Sequence, residues 1–64
     1  MSQSFTAGTR RMQDGSFLPF VDVVDRDRGT EWQQPHPQGS VALEAEAELR
    51  SLQFAQSLRE GAPV

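Results

Sequence analysis

Sixty-four residues make room for one domain, and a chain of that size buries only about 60% of its unfolded surface, so a monomer is marginal. There is no cysteine and only one histidine, His36, which excludes disulfides, thiolate zinc sites and multi-histidine metal sites. The net charge is −3, with six basic residues, all arginine, against nine acidic ones; non-specific nucleic-acid binding needs a positive field, so that class is disfavoured.

Oligomerisation is the staple left to so small a fold. No cofactor is expected. Met1–Ser4 carry neither a basic stretch nor an apolar run, so the reading is a cytoplasmic protein with no signal peptide and no membrane span. Residues 1–4 and 61–64 read as disordered tails around one domain.

The first predicted strand is Phe5–Gln13, weakened by Gly8. Asp14-Gly15 follows, and Asp-Gly between extended runs predicts a two-residue type I′ hairpin turn with positive φ at both positions. Ser16–Asp25 is the strongest strand, rich in β-branched and aromatic residues. Pro19 within it cannot donate to a ladder, so its nitrogen must face away from a partner or fall at a bulge or strand end. Asp25–Gly29 is a charged turn and Thr30–Gln34 a short third strand. Pro35-His36-Pro37-Gln38-Gly39 then stops the sheet. Ser40 reads as an N-cap for a helix over Val41–Glu60, a stretch free of glycine and proline and dominated by good helix formers. Gly61 is placed to end it and Pro63 to prevent continuation. The fold class is α+β: a three-stranded antiparallel β-meander with one C-terminal helix packed on one face (βββα).

A two-residue first turn sets Met12 opposite Phe17 and Gly8 opposite Val21. Met12, Phe17, Pro19, Val21 and Val23 then share one face with Trp32, and that face is expected under the helix. Phe5, Ala7, Thr9, Leu18, Phe20 and Val24 share the other. A wet sheet face should be polar, yet Leu18 and Phe20 are not. The helix has a similar surplus, with Val41, Ala45, Leu49 and Leu52 on one stripe and Leu43, Ala47, Phe54 and Leu58 on a second. Scattered surface apolar residues are one explanation. A homodimer is the other, with Leu18, Phe20, Phe54 and Leu58 as the self-association candidates.

The polar residues offer little chemistry. His36, between two prolines, suits a partner contact or an exposed loop better than a general base, for which no nucleophile is supplied. Trp32 reads first as a core anchor and second as a rim contact on a strand edge open to β-augmentation. Asp22, Asp25, Asp27 and Glu31 read as solvated turn acids, since the segment is too short for a calcium loop. Arg10, Arg11, Arg26 and Arg28 could line a sheet edge that binds nucleic acid, although Asp25 and Asp27 offset the last two.

The layout of strand, Asp-Gly turn, strand, short strand and Glu/Ala/Leu-rich helix is similar to the N-terminal half of HicB-type antitoxins. The matching text is Asp14-Gly15-Ser16-Phe17-Leu18-Pro19-Phe20-Val21, followed later by Leu43-Glu44-Ala45. That family's proline-aspartate-leucine-proline-glycine segment after strand two is absent, as is the glycine-aspartate before the helix. The resemblance implies the βββα layout and carries over no functional residue. The build is otherwise that of a small stand-alone bacterial sheet-plus-helix protein. The expected function is a non-enzymatic interaction module, a homodimer that binds another, unknown protein; the alternative is a nucleic-acid-binding accessory factor using the four arginines.

Overall fold

The structure is a computed structural model that describes residues 3–61. It contains β1 (Gln3–Arg11), β2 (Phe17–Asp25), β3 (Thr30–Pro35) and α1 (Glu44–Arg59). The strands form one antiparallel sheet in the order β1-β2-β3, so the chain has the expected βββα meander. Gln3 and Ser4 belong to β1 rather than to a tail. The expectations for residues 1–2 and 62–64, Pro63 included, lie outside the described residues. No described helix is long and apolar enough to cross a membrane.

The first turn differs from expectation by one residue. Met12 donates its N–H to the Ser16 carbonyl at 2.8 Å, and Gly15 donates to the Met12 carbonyl at 3.1 Å. Gly15 has φ +86° and no non-glycine residue has positive φ, which rules out type I′. The loop is the three-residue form, a type I turn over Met12–Gly15 with glycine in the left-handed region. Asp14 supports it by accepting hydrogen bonds from the Ser16 N–H at 2.9 Å and the Ser16 hydroxyl at 2.6 Å. These bonds hold the Asp14 carboxyl below its ordinary pKa. Gly8 consequently pairs with Phe20, and Ala7 with Val21. A slip of one residue exchanges the faces of a strand, so Phe5, Ala7 and Thr9 lie on the helix side rather than opposite it.

The second turn has four residues. Asp25 pairs with Thr30, and the Asp25 carboxylate accepts the N–H groups of Asp27 at 3.1 Å and Arg28 at 3.2 Å. Pro19 sits in the central strand without cost to the ladder. Its carbonyl accepts the His36 N–H at 2.9 Å. A strand residue points its nitrogen and carbonyl to the same side, so the missing Pro19 donor falls beyond the β2–β3 ladder. The His36 carbonyl that would have received it takes the Gly39 N–H instead, at 3.0 Å.

The helix starts later than Ser40 suggests. Val41 exchanges both backbone bonds with Phe17, at 2.7 and 2.8 Å, and a residue committed to a bridge cannot open a helix. Leu43 is the N-cap and brings no side-chain cap, so Ser40 does not cap it. The last turn ends as expected, with Gly61 at φ +68°.

The helix packs across β1 and β2 and does not reach β3. Its sheet-facing side is Ala47, Ser51, Phe54 and Ala55, all buried. Val21, Val23, Phe54 and Ala55 form the core cluster, with Phe5, Ala7 and Leu58 packed against it. The second helix stripe therefore covers the sheet, leaving Leu49 and Leu52 exposed, at 56% and 59%. Phe54 and Leu58 are core and core-margin residues, and their expected place on a free self-association surface is corrected.

A candidate interaction surface

Alternation along the observed register puts Ser4, Thr6, Gly8 and Arg10 of β1 on the face away from the helix. Leu18, Phe20, Asp22 and Val24 of β2 and Glu31, Gln33 and Pro35 of β3 share it. No described element covers this face. Leu18 and Phe20 sit half-buried at its centre. The Phe20 ring lies directly over Gly8, where a Cβ would come within 2.6 Å of it. The glycine that weakens β1 thus gives the ring a seat on bare backbone. The Arg10 guanidinium stacks above the same ring at 5.9 Å and donates to the Gln33 side chain at 2.5 Å. Arg10, Leu18, Phe20, Gln33 and Pro35 line a concavity of about 170 Å³. At the other end of this face Glu31 adjoins Asp22. A hydrogen bond shared with Asp22, then the negative charge of Asp22, raise Glu31 above its ordinary pKa.

Trp32 pairs with Val23 and so lies on the helix side of the sheet, as the sequence suggests. It is nonetheless 43% exposed, because the helix stops short of β3. The core-anchor reading of Trp32 is thereby corrected. All of β3 is exposed.

His36 is not a free loop residue. Its ring meets Phe54 edge-on at a centroid distance of 5.3 Å and an interplanar angle of 61°. Its Nδ1 accepts the Gln38 N–H at 3.1 Å, which requires the unprotonated nitrogen. Gln38 is held in turn by Arg50, which also pairs with Glu46 at 3.0 Å. Burial first, then the Arg50 charge, push the His36 pKa below its ordinary value of 6.5. The neutral ring belongs to the folded state, while the unfolded chain binds a proton more readily. His36 therefore contributes stability in full above about pH 6.5, and this is lost as pH falls through the lowered pKa. In thermal melts from about pH 8 to 5.5, His36→Asn, which keeps an acceptor that cannot protonate, is expected to lose less melting temperature than the parent. Parallel curves would contradict this role for the ring.

The four arginines do not gather into one surface. Arg10 and Arg11 alternate in side beside the first turn, while Arg26 and Arg28 lie within the second. The two turns lie at opposite ends of β2, more than about 20 Å apart at the usual rise per residue. Arg28 approaches Asp25 at 4.0 Å. The arrangement corrects the expectation of a single arginine edge. Among the described residues no group of three or more metal-ligating side chains is placed to hold an ion. Two features leave no local mark in the sequence: the Phe20–Gly8 stack, and the hold of His36 on the helix. Comparison with known proteins brings no match, whether to a family model, a curated protein or a solved structure.

Proposed function

We propose that this protein is a non-enzymatic interaction module that works as a homodimer and binds another protein. The observation that carries the reading is the uncovered sheet face, where Leu18 and Phe20 stand on the central strand in positions that a wet face would fill with polar residues. The thin core supports it: the buried hydrophobic residues among those described are Val21, Val23, Ala47, Phe54 and Ala55. Such a core leaves a small domain close to its stability threshold, and a second copy over Leu18 and Phe20 removes further apolar surface from water. Closed two-fold pairing is the commonest way for a small chain to do so.

Leu18→Ala combined with Phe20→Ala is expected to give a folded monomer. Neither side chain belongs to the core cluster, so the circular dichroism spectrum should persist. Losing both apolar side chains from each copy should weaken the dimer by at least about 100-fold. A variant whose solution mass equals that of the parent would remove the assignment.

A further inference from the structure

We propose that the outer edge of β3 takes up an extended segment of a partner protein as a fourth strand, with an arginine or lysine of that segment opposite Glu31. The proposal rests on the interaction-module reading and specifies the chemistry of the partner.

The backbone provides the first ground. His36 bonds to Pro19, and hydrogen-bonded pairs recur at every second residue of an antiparallel ladder. Gln34, Trp32 and Thr30, opposite Val21, Val23 and Asp25, therefore turn their amides and carbonyls toward β2. Those of Glu31 and Gln33 point outward, where no described strand meets them. Edge strands are normally blunted by bulges, prolines, charges or a covering element. Here Pro35 limits only one end, and the helix leaves the strand uncovered.

The side chains supply the second ground. A segment added at this edge places alternate residues beside Trp32 on one face and beside Glu31 and Gln33 on the other. The half-exposed indole favours an apolar neighbour. On the opposite face, Glu31 and Asp22 adjoin each other, and no described arginine lies within ion-pair distance of either. Arg10 is engaged by Gln33 and Phe20. A cation on the incoming strand neutralises the pair, and the net charge of −3 attracts it from a distance.

A second copy fits this edge less well. Two β3 strands paired about Trp32 set Gln33, not a cation, opposite Glu31. They also set Pro35, which has no N–H, opposite Gly29. Pairing β1 of a second copy with β3 would supply arginines, but the contact is head-to-tail, so it builds a ring or a filament and not the two-fold dimer.

The test is selection of short random peptides displayed on phage against the intact protein at low salt. Enriched sequences should alternate, with arginine or lysine on one face and an apolar residue between. Binding of a selected synthetic peptide, read by fluorescence anisotropy, should weaken about tenfold or more in Gln33→Pro and stay within about twofold in Gln33→Ala, because only the former loses the outward N–H. Glu31→Arg should likewise abolish the preference for cations. The Leu18→Ala, Phe20→Ala variant should still bind the peptide, so the dimer and the edge fail separately. Three outcomes would overturn the proposal: no enrichment, binding indifferent to Gln33→Pro, or a solution mass halved by Gln33→Pro, which would assign the edge to a second copy.

Discussion

Phe54→Ala is expected to leave the protein largely unfolded at room temperature, while Leu49→Ser and Leu52→Ser melt close to the parent. Phe54 is 7% exposed and shares the core cluster with Val21, Val23 and Ala55. Its ring also receives the edge of His36. Truncating a buried phenylalanine costs about 3–5 kcal/mol, transfer and cavity together. The core of so small a domain rarely supplies more than about 3–5 kcal/mol in all, so a single substitution can cancel the whole. Leu49 and Leu52 lie on the outer side of the same helix, and surface changes usually stay within about 0.5 kcal/mol. Far-UV circular dichroism melts of the three variants check the helix orientation. Comparable losses in all three would contradict it.

Asp25→Ala is expected to lower the melting temperature by about 10 °C or more. Asp25 is 9% exposed and its carboxylate accepts the amides of Asp27 and Arg28, which shapes the four-residue turn between β2 and β3. Hydrogen bonds to a charged group contribute about 1.5–3 kcal/mol, and in a domain of this size each kcal/mol shifts the midpoint by about 4–8 °C. Asp25→Asn retains an acceptor oxygen and should fall between the parent and Asp25→Ala in a calorimetric scan. An Asp25→Ala midpoint unchanged from the parent would show that water satisfies those amides as well as the carboxylate does.

The elements were legible because each was marked by more than one local signal. Val21, Val23 and Val24 announce β2, Gly29 and Gly61 fall where the chain takes a left-handed turn, and the run from Glu44 to Arg59 contains only helix-compatible residues. What was not legible depended on choices that neighbouring residues make together. Asp14-Gly15 serves a two-residue loop with both residues left-handed or a three-residue loop with only the glycine so. The Asp14–Ser16 bonds and the Met12–Ser16 pair select the second. That single residue of register brings Phe5 and Ala7 against the core.

The helix face was ambiguous for a related reason. Leu49 and Leu52 carry more apolar surface than Ala47 and Ser51, so side-chain size favours the wrong stripe. The small residues win because they let the helix sit close to β1 and β2, with Phe54 filling the space toward His36. Val41 looked like helix by composition, but its backbone completes a bridge to Phe17, a contact between segments far apart in sequence. On the candidate surface, Leu18 and Phe20 were readable as misplaced apolar residues on a strand. The seat of the Phe20 ring on Gly8 was not, because it depends on the cross-strand register.

Light scattering of the intact protein across a concentration series tests self-association most directly. A homodimer gives a mass of twice the 7.1 kDa of the chain, falling toward the single-chain value only on dilution. A mass of 7.1 kDa at every concentration would contradict it and leave Leu18 and Phe20 facing water.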